Sequence, residues 1–242
     1  MTRISGDLGA CKAAVRERMW SLLDAHGVSY PLGATGRIPR FSAADVAAQR
    51  LAETAAWEAA ETLKVNPDTA QFPVRLHALA EGKVVYMAVP YLAGPHPFYF
   101  LDPAELGEQA PEAATIDGAA RLAPSVGFDE MREIDLAVCG SVAVNRNGAR
   151  VGKGGGYADI ELALLVEAGL ITARTVLATT VHELQVVHEE LPETAHDFRL
   201  DVIASPVEVV RCGSPYRPSG IYPSHLTSSK IASIPILRDR MG

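Results

Sequence analysis

Residues 134–144, IDLAVCGSVAV, are apolar almost without interruption, and they run through a glycine-rich stretch into a helical pattern. A strand that is apolar along its whole length needs cover on both faces, which a sheet flanked by helices provides. The rest of the chain repeats this grammar. Further strands are expected at 63–67, 83–92, 175–181, 200–205 and 206–212, where β-branched and apolar residues cluster between Pro, Gly and polar breaks. Helices are expected at 9–26, with Val15, Met19, Leu22 and Leu23 on one face, at 42–61 with Ser42 as N-cap, at 71–81, and after the glycine stretch. Alternation of this kind predicts an α/β fold with a mainly parallel sheet. Residues 27–41 read as turns. Residues 93–125, rich in Gly, Pro and Ala, read as a surface excursion. The Pro- and Ser-rich tail, 213–242, reads as short-helical up to Ile234. One domain over 1–242, opening on a helical segment 9–61, is the expected organisation.

The sharpest local feature is Arg150-Val-Gly152-Lys153-Gly154-Gly155-Gly156-Tyr157-Ala-Asp159. Glycines let successive N–H groups turn into one concavity and keep side chains out of a ligand's way. A helix beginning there adds its positive end, and Lys153 and Arg150 add full charges. The pattern is neither GxxxxGK[ST] nor GxGxxG, whose last glycine is replaced by Tyr157. Two readings stand side by side, a phosphate cradle and a tight structural turn. Asp159 likewise reads as a Mg²⁺ ligand beside nucleotide phosphates or as a helix-terminal acid.

Composition narrows the function classes. With 48% hydrophobic residues over 242 positions, a large core is assured. No apolar run approaches the roughly 18 residues of a spanning helix. The first twenty residues lack an apolar core followed by a small-residue cleavage site, so a cytoplasmic location and no membrane partner are expected. A net charge of −7 argues against general nucleic-acid binding. Cys11, Cys139 and Cys212 are widely spaced and form no CxxC pair, as expected of reduced thiols rather than a disulfide or zinc framework.

The glycine loop, with the segment LPETAHDFRLDVIASP about 35 residues on, resembles the signature of 5-formyltetrahydrofolate cyclo-ligases (methenyltetrahydrofolate synthetases). Closer still is the paralogue branch of methenyltetrahydrofolate synthetase domain-containing proteins. That branch shares GYAD (156–159), TTVHELQVV (179–187), IPILR (234–238), RIPRF (37–41), KVNPD (64–68) and the spacing from Lys12 through Arg16 and Glu17 to Trp20. The resemblance implies a three-layer α/β/α fold like ribose-phosphate isomerase and CoA-transferase relatives. It implies ATP and Mg²⁺, and a reduced folate or another formamide or amide as the small-molecule substrate. It places Lys12 and Arg16, with Gly152, Gly154, Gly155 and Gly156, on the nucleotide. Arg150, Lys153 and Tyr157 fall in the catalytic loop, and Asp159 beside the metal.

The departures concern the folate side. The family's second Tyr and following basic residue are replaced by Ala158 and Ile160, and the usual mid-chain Glu-Pro pair is not evident. Substrate-side candidates are His182 and Gln185, which match the paralogue branch and follow a strand, together with Lys64 and Arg75 from the branch's own motif. Structural polar contacts are the alternative for His182 and Gln185, and an ion-pair network would explain Lys64 and Arg75 too. His196-Asp197 resembles the family's segment before the last strands. The expected activity is ATP-dependent formation of a C–N bond after phosphorylation of a formyl or amide oxygen. The alternatives are an enzyme of the same type acting on a non-folate amide, and a non-catalytic paralogue that binds nucleotide or folate.

Overall fold

The computed structural model describes residues 8–29 and 31–241. Residues 1–7, at the start of the N-terminal reading, and Tyr30, within the turn-rich stretch, lie outside the described residues. Helix α1 (Leu8–Ala25) buries Met19, Trp20 and Leu23. The Ala-rich stretch expected as one helix, 42–61, forms two, α2 (Ala44–Ala52) and α3 (Ala55–Ala59). Ser42 does not cap the first; Ala43 stands there with φ 59° and no side-chain bond. The break comes from Thr54, whose extended backbone starts a new helix and whose Oγ1 accepts from the Trp57 N–H at 3.3 Å. The new helix direction drives Trp57 into the core, where it is 1% exposed.

The chain then runs β1 (Thr62–Val65), α4 (Phe72–Ala80), β2 (Val84–Ala88), β3 (Phe98–Leu101), α5 (Pro103–Leu106), α6 (Ala110–Ala113), α7 (Ile116–Leu122), β4 (Ser125–Val126), β5 (Leu136–Cys139), β6 (Ala143–Asn145), β7 (Arg150–Val151), α8 (Tyr157–Glu167), β8 (Val176–Thr180), β9 (Val186–Val187), β10 (Val202–Ala204), β11 (Val209–Arg211), α9 (Ser228–Ser233) and α10 (Pro235–Met241). Eight strands form one sheet in the order β11-β10-β8-β5-β1-β2-β3-β4. The five from β10 to β2 are parallel, and the outer strands are antiparallel. Side chains alternate between the faces. Leu63, Val65, Val85, Met87, Leu136 and Val138 pack with α2, α3, α4, α6 and α7. Tyr86, Ala88, Ala137, Cys139, Leu177 and Ile203 pack on the other side with α8 and α10. The expected layered α/β architecture with a mostly parallel sheet is therefore present.

Three expectations need correction. Residues 134–144 are two strands in two sheets: β5 stays in the large sheet, while β6 joins β7 and β9 in a small one. Both are fully buried, so the apolar run gave no sign of the turn at Gly140. There the chain passes so close to Ile38 that an added Cβ would lie 2.9 Å from its side chain. Residues 93–125 are not a surface excursion. They add β3 and β4 to the sheet and bury Phe98, Leu101, Ala113 and Ala119. The tail does not stop being helical at Ile234, since α10 continues to Met241. Among the described residues no helix is long and apolar enough to cross a membrane.

Candidate functional site

The parallel strands end together at one edge of the sheet, and the chain's excursions there carry the polar residues. From β1 the order runs outward to β2, then reverses to β5, β8 and β10 on the other side. The carboxyl ends of β1 and β5 thus flank the point of reversal, the place where open α/β sheets form a crevice. Residues 66–68 leave β1 there. The excursion from Gly140 to Gly156 leaves β5 and returns as α8. Gly154 (φ 103°) and Gly156 (φ 72°) hold backbone conformations closed to most side chains, and Gly156 stands at the N-terminus of α8 without a side-chain cap.

Cations from three elements converge on this loop. Lys12 and Arg16 share a face of α1 by their spacing of four. Arg16 Nε donates to the Gly152 carbonyl at 2.7 Å. Its guanidinium fills the space beside Gly154, where a Cβ would lie 3.3 Å from Cζ. Burial and the neighbouring Arg150 charge push the Arg16 guanidinium below its ordinary value. Lys12 Nζ donates to both oxygens of Asp197, at 2.7 and 2.5 Å. That carboxylate also accepts from the Thr194 N–H at 2.5 Å and hydroxyl at 2.8 Å. Burial alone would raise the Asp197 carboxyl, but these hydrogen bonds carry it below the usual range.

Arg150 is buried at the base of the loop. It donates to the Gly140 carbonyl at 3.0 Å and to Asp159 Oδ1 at 3.1 Å, and it lies 4.5 Å from the Phe198 ring centroid. Burial opposes its charge, yet Asp159 above all keeps it raised. Lys153, at the tip, pairs with Asp68 at 2.7 Å across the crevice. The Tyr157 ring meets Tyr91 edge to face at 5.5 Å and carries Lys230 Nζ 3.8 Å from its centroid. The arrangement suits a polyanion: a glycine loop, a helix start without a side-chain cap and several cations come together here. No group of three or more His, Cys, Asp or Glu among the described residues is placed to hold a metal alone. A divalent ion here fits the type held by one carboxylate and phosphate oxygens, with Asp159 as the carboxylate.

The four substrate-side candidates are turned into the protein instead. Lys64 is fully buried, with Nζ 2.5 Å from Glu161 of α8 and 2.6 Å from Asn66 Oδ1. Burial would depress its ammonium, and Glu161 more than restores it. Arg75 donates to the backbone carbonyls of Ala114, Asn66 and Asp68. Its burial brings the guanidinium down to about 10. Gln185 accepts from the His182 N–H and donates to the carbonyls of Ser141 and Val142. His182 Nδ1 accepts from the Leu184 N–H at 3.2 Å, and burial holds the imidazole below its usual value. Arg75 fixes the 66–68 turn that meets Lys153, and Lys64 ties β1 to α8, so these side chains frame the crevice.

Sequence reasoning missed Tyr91, Lys230 and His225. Tyr91 is 70% exposed with φ 62°, a strained conformation for a residue other than glycine, and no local sequence signal marks it. Lys230 donates to the Gly155 carbonyl at 2.9 Å from the tail, 75 positions away. His225 Nδ1 lies 2.7 Å from His196 Nδ1, beside Thr194.

Residues 9–206 match the 5-formyltetrahydrofolate cyclo-ligase family. The chain is similar to the methenyltetrahydrofolate synthase domain-containing protein of Mus musculus, with 35% identity over 96% of this chain and 63% of that one. The Homo sapiens protein of the same name is 33% identical over 96% of this chain and 61% of its own length. The chain thus spans less than two thirds of the length of these relatives. Its fold is similar to the NMR structure of Aquifex aeolicus 5,10-methenyltetrahydrofolate synthetase. The TM-score is 0.53 at 17% identity, covering 91% of this chain and 99% of that one.

Proposed function

Because this chain belongs to the 5-formyltetrahydrofolate cyclo-ligase family, we propose that it is an ATP- and Mg²⁺-dependent cyclo-ligase. The proposed reaction converts 5-formyltetrahydrofolate to 5,10-methenyltetrahydrofolate. The observation that carries this reading is the glycine loop at the switch of strand order, with Arg16 against Gly154 and Lys153 at its tip.

An amide oxygen is a poor leaving group, and phosphorylation makes it a good one. The formyl oxygen attacks the γ-phosphorus of ATP and ADP departs. The neighbouring nitrogen then attacks the activated carbon, inorganic phosphate leaves, and the ring closes. Such chemistry asks the protein for positioning and for charge neutralisation at the transferring group. The loop N–H groups and Arg16 hold the phosphates. Lys153 is long, half-exposed and held by one carboxylate, so it can exchange Asp68 for a phosphate oxygen. Arg150, locked on Asp159 and Gly140, keeps the loop in register. Mg²⁺, when bound, supplies positive charge on the phosphates, and Asp159 would hold it. Tyr157 closes the loop where the helix starts.

The test is phosphate release from MgATP with and without 5-formyltetrahydrofolate, with methenyl absorbance followed in parallel. Product that disappears in Asp159→Asn supports the reading. Nucleotide affinity unchanged in both Lys153→Ala and Arg16→Ala would refute the cradle. Binding without product would favour a second reading, a related enzyme acting on another formamide or amide, or a paralogue that only binds nucleotide or folate. The second reading has its own support. Ile160 is buried in the main core and Ala158 is small, so the first turn of α8 offers neither the ring nor the charge of the common family pattern.

A further inference from the structure

The cations around the glycine loop are not equally neutralised. Lys12, Arg150 and Lys153 are each paired with a carboxylate, Asp197, Asp159 and Asp68 respectively. Among the described residues, Arg16 and Lys230 make no ion pair with a carboxylate. Both are held instead by loop carbonyls, Arg16 by Gly152 and Lys230 by Gly155. These two cations without a direct carboxylate contact thus reach the loop on either side of Gly154 in sequence, one from α1 and one from α9. Lys230 also rests on the face of Tyr157. An ammonium has three N–H groups, and one of them is used on Gly155.

Lys230 lies beyond the residues that match the family, 9–206. The same tail touches the site's margin a second time. Tyr222 stacks on His225 at 5.2 Å, and His225 meets His196 beside Thr194, the residue that also holds Asp197 against Lys12. These two anchorages, His225 on His196 and Lys230 on Gly155, fix where the tail runs and bring its one lysine to the loop.

We propose that the tail completes the polyphosphate site, with Lys230 as a binding residue for the anion that the glycine loop cradles. The inference rests on the reading of the loop as a phosphate site and adds a contact outside the family's matched region. Bound phosphate oxygens replace the missing carboxylate partner of Lys230, while its bond to Gly155 holds the loop's turn in place.

The experiment uses the full chain and inorganic tripolyphosphate, with MgATP in parallel, titrated calorimetrically. Lys230→Met is expected to weaken tripolyphosphate binding by at least about tenfold, as removal of a charge-assisted hydrogen bond does. Lys230→Arg should retain affinity within about threefold, since charge is kept at similar reach. The unliganded melting midpoint of Lys230→Met should stay within about 3 °C of wild type, because Lys230 is only half-buried and its removal leaves no carboxylate unpaired. Wild-type affinity in Lys230→Met overturns the proposal, as does absence of tripolyphosphate binding by the wild type. Loss of affinity that Lys230→Arg does not restore, together with a lowered melting midpoint, also overturns it and assigns Lys230 a purely structural role. Lys230-dependent binding without methenyl product would leave the inference standing while removing the proposed reaction.

Discussion

A charge matters by what its removal leaves behind. Lys64 and Lys153 each pair with one carboxylate, yet Lys64 and Glu161 are buried, whereas Lys153 is half-exposed above Asp68. Lys64→Met strands a carboxylate in the core and should destabilise by about 3–5 kcal/mol, lowering the melting midpoint by at least about 6 °C. The double variant Lys64→Met/Glu161→Leu should recover most of that loss, because a buried pair is often replaceable by apolar groups of similar volume. A double variant as unstable as the single one would mean that the pair itself, with Asn66, is required. Lys153→Met should cost under about 1 kcal/mol and show its effect in MgATP affinity, expected to fall about tenfold. The two lysines look alike in sequence. The loop lysine was legible because its glycines surround it, while the partner of Lys64 sits 97 positions away in α8. No local pattern could separate the buried lysine from the half-exposed one.

Elements were legible where a local rule governs them. The parallel core strands and α1, α4 and α8 follow from apolar periodicity and from turn residues such as Gly82, which holds φ 81° after α4. The misread segments were those whose structure depends on distant packing. Residues 93–125 form an antiparallel edge and small helices because Ala113, Ala119 and Gly118 let α6 and α7 approach closely. Two glycines make this difference testable. At Gly118 a Cβ would lie 1.9 Å from the Glu112 carbonyl oxygen, so Gly118→Ala should destabilise by about 1–3 kcal/mol through overpacking and leave tripolyphosphate affinity unchanged. At Gly154 the φ of 103° adds about 1–2 kcal/mol of backbone strain, and the new methyl crowds the Arg16 guanidinium at 3.3 Å. Gly154→Ala should therefore weaken tripolyphosphate binding at least about tenfold, whereas Gly118→Ala acts on melting alone. If both variants lost stability and neither lost affinity, the loop would be a structural turn.

Across the molecule, α1 and the segment before β10 are joined at the site through Lys12 and Asp197, and this coupling sets how the fold responds to acid. Burial pushes the His182 and His196 imidazoles below their usual value. The Asp197 carboxyl is also lowered, since its bonds to Lys12 and Thr194 outweigh burial. In all three cases the unfolded chain binds protons more readily than the folded one, so stability increases with pH through the titration range. The contribution is complete above the unfolded values, near pH 6.5 for histidine and about 3.9 for aspartate. It is lost as pH falls through the folded ones. The melting midpoint should thus fall in two stages, beginning below about pH 6.5 and again below about pH 4. His196→Asn should shallow the first stage. Asp197→Asn should lower the midpoint at pH 7 and flatten the second, because Lys12 then has no carboxylate to lose. A second stage equally steep in Asp197→Asn would place the acid response elsewhere among the carboxylates. The tie between α1 and the loop before β10 would then be geometric rather than electrostatic.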